Sequence, residues 1–100
     1  MKEAEVHMRC EDAFRSAAEL QRQAEGLRRA ATEYKATLDE LEANWEGQSA
    51  RRYLAVARER IDKLNSNVER YEALAVAIIK TARLYERNEL KKIRSMRKKP

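Results

Sequence analysis

Two groups of residues have types and spacings that permit chemistry. Cys10 and Glu11 follow His7 at three and four residues, a spacing that places potential metal ligands along one turn of a helix. A structural zinc site takes four ligands, and a single histidine beside a single cysteine supplies too few unless a dimer doubles them. Cys10 also occupies an apolar position of the helical repeat described below, where a thiol packs as a small hydrophobe. No metal or other cofactor is expected. Catalysis is equally poorly supplied, with no glycine-rich phosphate loop, no second histidine, and carboxylates set mostly among lysines and arginines. The expectation is a protein that is not an enzyme.

The second group offers recognition. Trp45 and Gly47 stand two residues apart near the middle of the chain, and Tyr85 and Glu89 stand one helical turn apart near its end. A large ring at an exposed turn can be read by a receptor or can cap the end of a bundle. Tyr85 can bury its ring and keep its hydroxyl at the edge, with Glu89 as the first charge on the same face. Residues 91–100 (KKIRSMRKKP) hold six lysines or arginines and no acid. The remaining 90 residues carry 16 basic and 17 acidic side chains, so the net charge of +5 belongs to the tail. Such a tail can be a solvated, partly disordered end, or can touch an anionic membrane surface or nucleic acid. No interleaved aromatic platform supports single-strand binding, and no nucleic-acid partner is expected.

These residues need elements to position them, and the composition allows little besides helix. The chain has two glycines and one proline, the latter at position 100, and is dominated by Ala, Leu, Glu, Arg and Lys. Val6, Cys10, Ala13, Ala17, Leu20, Ala24, Leu27, Ala31, Tyr34, Leu38, Leu41 and Trp45 recur at alternating steps of four and three. They form one apolar stripe on a helix over about 3–44, roughly 60 Å long. Leu54, Ala57, Ile61, Leu64, Val68, Tyr71, Ala75, Ile78, Ala82 and Tyr85 repeat the pattern until Glu89, which places a second helix over about 50–93.

Between the ladders lie residues 44–49, the one place where helix-stop and helix-start residues meet. Gly47 can adopt the left-handed conformation that ends a helix, and Ser49 can cap the next one. A turn this short makes the helices antiparallel neighbours. The predicted fold is all-α: a helix-turn-helix hairpin over residues 1–90 with a basic tail over 91–100. Gly26 lies off the stripe and reads as a tolerated weak point in a helix.

A single hairpin leaves apolar surface uncovered. Phe14 and Ala18 lie beside the first stripe, and Tyr53, Val56, Leu74, Val76, Ile79 and Leu84 widen the second. Pairing the helices about the turn puts Phe14 level with Ile79, in one expected apolar belt. That belt predicts association with a second hairpin into a four-helix bundle, with Phe14, Ala18, Tyr53, Leu74, Val76 and Ile79 at the interface. The same pairing puts Tyr85 near His7 and Met8, at the end away from Trp45.

A chain of 100 residues with two antiparallel helices and a central Trp45-Glu46-Gly47 resembles the WXG family of small type VII secretion proteins, the early-secreted-antigen-like proteins. With two glycines in 100 residues, a glycine two places after the only tryptophan has a chance expectation of about 2%. Tyr85 and Glu89 match the family's Tyr-x-x-x-Asp/Glu export element, a commoner pattern that gains weight from its position. The resemblance implies a leaderless secreted protein, made in the cytoplasm and exported as a folded dimer. It implies that a type VII secretion ATPase reads Trp45 and Gly47 of one subunit together with Tyr85 and Glu89 of the other. Only an antiparallel second hairpin would bring those motifs together. The partner implied is a second copy, a paralogous WXG protein, or the helical leader of a toxin, in virulence or as an interbacterial effector partner. The basic tail departs from the neutral or acidic ends of many relatives. Without the resemblance, the residues also suit a cytoplasmic coiled-coil adaptor or a nucleic-acid-associated helical bundle.

Overall fold

A computed structural model describes residues 2–97. Two helices make up the hairpin, α1 (Glu3–Asn44) and α2 (Gln48–Arg97). The Lys2 carbonyl receives the first free amides of α1, those of Glu5 and Val6, and Glu3 and Glu5 place negative charge against the helix N-terminus. Inside α1, the hydroxyls of Thr32 and Thr37 donate to carbonyls four residues back, at 3.0 and 3.2 Å, which removes their competition for the backbone. At the far end, the Asn44 side-chain amide donates to the Glu40 carbonyl at 3.0 Å. No helix among the described residues is long and apolar enough to cross a membrane.

The turn differs from expectation in one detail. α2 begins at Gln48, so Ser49 lies inside the first helical turn and does not cap it. Gly47, at φ +114°, turns the chain earlier, and its carbonyl accepts the Arg51 amide at 3.1 Å. Glycine therefore holds the cap position, a role it fills nearly as well as serine. A Cβ on Gly47 would meet nothing within 4 Å, so the demand for glycine comes from the backbone angle alone.

The other end also differs. α2 runs to Arg97, past the expected end near Ile93. Arg94 and Arg97 complement the negative end of the helix, and Arg97 reaches Glu3 at 3.3 Å. The disorder expected of the tail falls, beyond Arg97, on Lys98, Lys99 and Pro100, which lie outside the described residues.

The hairpin comprises two compact units. The turn unit (residues 22–71) packs Leu38, Leu54 and Ile61 with Ala31 and Ala57, and Leu64 lies against this cluster. The terminal unit (residues 1–21 and 72–100) buries mainly small side chains, namely Cys10, Ala17, Ala75 and Ala82, with Val6.

On both helices burial divides the ladder. Cys10, Ala17, Ala24, Ala31 and Leu38 on α1, and Leu54, Ile61, Val68, Ala75 and Ala82 on α2, are buried at seven-residue intervals. Most of the intervening positions stay open: Ala13, Leu20, Leu27, Leu64, Ile78 and Tyr85 are half-buried, and Tyr34, Leu41 and Tyr71 are exposed. One partner helix covers one narrow seam, and the rest of each stripe remains available.

Candidate functional site

The turn unit holds the first pair of predicted recognition residues. Trp45 follows the last residue of α1 and leans on Tyr53 of α2, with ring centroids 5.5 Å apart and planes inclined at 57°. Trp45 is 41% exposed and Tyr53 50%, so the aromatic pair is supported on one side and open on the other. Trp45, Glu46 and Gly47 line a groove with Glu42, Arg51, Leu54, Ala55 and Arg58. Arg58 fastens α2 to α1 there, donating to Asp39 at 2.8 Å and to Glu42. The hydrogen bonds to Asp39 and then Glu42 hold the Arg58 guanidinium above its ordinary pKa. This arrangement can present a fixed aromatic face beside mixed charge, and it contains no nucleophile with an adjacent base.

The terminal unit holds the second pair. Tyr85 is half-buried and its hydroxyl accepts from Arg9 Nη1 at 3.4 Å. Glu86 meets His7 Nδ1 at 3.3 Å, so the pairing about the turn is the one read from the sequence to within about two residues. Glu89, one turn beyond Tyr85, is half-buried and pairs with Lys92 at 3.4 Å. Tyr85 and Glu89 line a groove with Asn88, Lys91, Lys92, Ser95 and Met96, so the basic tail borders the motif. Cys10 is buried and its thiol lies 3.5 Å from the Ala82 carbonyl. Burial first, and the nearby Glu86 second, push the Cys10 thiol above its usual range, which keeps it protonated and unreactive. Glu11 is exposed, and among the described residues no three His, Cys, Asp or Glu side chains gather as a metal site.

The expected apolar belt is divided in two. Phe14 and Ile79 line one groove, with Arg83, Glu86, Arg87 and Leu90. Leu74 lies in a separate groove with Arg9, Cys10, Ala13, Ala77, Ile78, Thr81, Ala82 and Tyr85. The reason is helical geometry: Leu74 and Ile79 are five residues apart, or about 140° around α2, and so flank the buried seam on opposite sides. Val76 is exposed and Ala18 half-buried. Pairing about the turn places Tyr85 near His7 and Met8, within about two residues of its actual partner Arg9, and gives Trp45 no partner. Tyr53 packs on Trp45 and Arg9 donates to Tyr85, and of these two only Tyr53 carried a signal, as an apolar residue beside the stripe.

The family described as "WXG100: Proteins of 100 residues with WXG" matches over residues 11–90, a span that includes Trp45, Gly47, Tyr85 and Glu89. No curated protein and no solved structure matches the chain.

Proposed function

Because the chain belongs to the WXG family of small type VII secretion proteins, we propose that it is exported as a dimer of hairpins and presents a composite signal to the secretion ATPase. WXG proteins are small, helical and secreted, are not known as enzymes, and typically dimerise with WXG partners. In this reading the protein is a substrate in its own right or a co-secreted targeting factor for a larger effector. Trp45 and Gly47 of one subunit form half of the signal, and Tyr85 and Glu89 of the other form the second half.

The observation that carries the reading is the Trp45 ring. It is held by Tyr53 next to a glycine at positive φ, yet leaves 41% of its surface open. An apolar side chain of that size at an exposed turn has a simpler explanation as a recognition element than as core. Tyr85 and Glu89 belong to the other compact unit of the same chain, which supports a signal assembled between subunits. The face for the second hairpin is the open half of the ladder. In the terminal unit the ladder residues Ala13, Ile78 and Tyr85 share a groove with Leu74 and Ala77 beside them, where Leu74 is 51% exposed and Arg9 is the one charged lining residue. Nearly uncharged, that groove can meet its own copy without opposing like charges, so a second copy is the partner we favour.

The test is fractionation of a type VII-secreting host expressing wild type or Trp45→Ala, with a cytosolic lysis marker. Wild type in the medium and a dimeric Trp45→Ala retained in the cells is the expected result. Wild type that partitions with the lysis marker while the machine is active would overturn export.

A further inference from the structure

The terminal unit carries a second groove that the proposed dimer leaves open. Phe14, Ile79 and Leu90, all half-buried, form its apolar part, and Arg83, Glu86 and Arg87 border it. It shares no lining residue with the groove of Ala13, Leu74 and Ile78. Glu86, its one carboxylate, is turned onto His7. Arg83 and Arg87 stand one helical turn apart, are both exposed, and make no ion pair among the described residues. The groove therefore combines an apolar floor with two guanidinium groups that no carboxylate among the described residues pairs.

That chemistry selects the occupant. An amphipathic helix can set apolar side chains at i, i+3, i+4 and i+7 into the floor, and carboxylates beside them can take the arginines in bidentate pairs. A second copy of this chain is a poor fit. Laid against itself, the groove would oppose Arg83 and Arg87 to their own copies, and laid against any other surface of the chain it would make a contact that does not close. We propose that the groove of Phe14, Ile79, Leu90, Arg83 and Arg87 docks an acidic amphipathic helix of a different protein. The proposal rests on the reading that the second hairpin covers the groove of Ala13, Leu74 and Ile78. The hairpin would then bind on two flanks, one for its twin and one for an acidic helical partner such as a co-exported cargo would have to supply.

The experiment titrates the full-length protein into a fluorescein-labelled synthetic peptide of about four helical turns, with leucines at i, i+3, i+4 and i+7 and glutamates on both sides. A twin peptide carries lysine at every glutamate. Anisotropy reads binding, and sedimentation velocity on the same samples reads the oligomeric state. The acidic peptide is expected to bind the dimer at least about tenfold more tightly than its lysine twin. Arg83→Glu combined with Arg87→Glu should weaken it by about tenfold or more with the dimer intact, and Ile79→Ser should also weaken it. Equal binding of both peptides, or undiminished binding by the double arginine variant, would overturn the proposal. So would loss of binding on neutralising the basic end of α2 alone (Lys91→Gln, Lys92→Gln, Arg94→Gln), which would assign it to a general charge effect outside the groove. A monomer in the sedimentation runs would sink the dimer reading by itself, while the same titration still decides the groove.

Discussion

The two compact units use the same repeat to different ends. The turn unit buries Leu38, Leu54 and Ile61, side chains large enough to form a cluster of their own, and Arg58 fastens its helices together. In the terminal unit the buried positions are Cys10, Ala17, Ala75 and Ala82 with Val6 as the one larger side chain, while Leu74 stands exposed and Phe14, Ile78, Ile79 and Leu90 are half-buried beside the seam. Small residues inside let the helix backbones approach but bury little apolar area, so the gain on folding that unit alone is modest. The lesson is that the turn unit holds itself together, whereas the terminal unit leaves open apolar side chains that the proposed association would cover.

If that contrast holds, substitutions in the two units should fail differently. The largest effect belongs to Leu54→Ala, which opens a cavity in the turn-unit cluster and should cost about 3 kcal/mol, read as a lower denaturation midpoint at every protein concentration. Leu74→Asp touches no buried cluster. It should weaken dimerisation by about 2 kcal/mol, roughly thirtyfold in the dissociation constant measured by sedimentation equilibrium, and leave the helix content of the folded chain nearly unchanged. Were Leu74→Asp to leave the dimer untouched, the groove of Ala13, Leu74 and Ile78 would not be the interface.

A smaller effect is expected at the turn. Gly47→Ala meets no steric neighbour, so its cost should be the backbone penalty of a positive φ alone, about 1 kcal/mol by chemical denaturation. The smallest is a pH dependence in the terminal unit. The folded state holds the Cys10 proton above the usual thiol range, whereas the unfolded thiol ionises first as pH rises. Stability should be fully retained below the ordinary thiol range and decline as pH passes through it toward the raised folded value, and Cys10→Ala should remove that slope.

Much of the fold was legible in the sequence because periodicity encodes it directly. The four-three alternation from Val6 to Trp45 and from Leu54 to Tyr85 has one regular solution, and a short segment around Gly47 permits one connection. The register followed from the turn, which is why His7 reaches Glu86 and Phe14 and Ile79 line one groove. Three things were not legible. The division of the ladder into buried and open halves was hidden because Leu38 and Leu41 occupy equivalent-looking steps of one repeat, and only the position of the partner helix distinguishes them. The cap moved from Ser49 to Gly47 because a backbone angle, not a side-chain preference, decides where the turn closes. The partners of Trp45 and Tyr85 depend on rotamers and long-range pairing, as in the contact between Arg9 and Tyr85, which no local spacing announces. The family resemblance supplied the recognition residues, and the spacing of Tyr85 and Glu89 alone would not have singled them out.

The central claim is that export requires a signal assembled from two chains. Co-expression of Trp45→Ala and Tyr85→Ala, each with a different tag, tests it most directly. In a mixed antiparallel dimer, the tryptophan of one subunit and the tyrosine of the other restore one complete signal. The account predicts that each variant alone stays in the cells and that the mixed dimer, isolated through both tags, appears in the medium. Mixed dimers that form in the cells yet never reach the medium would contradict it.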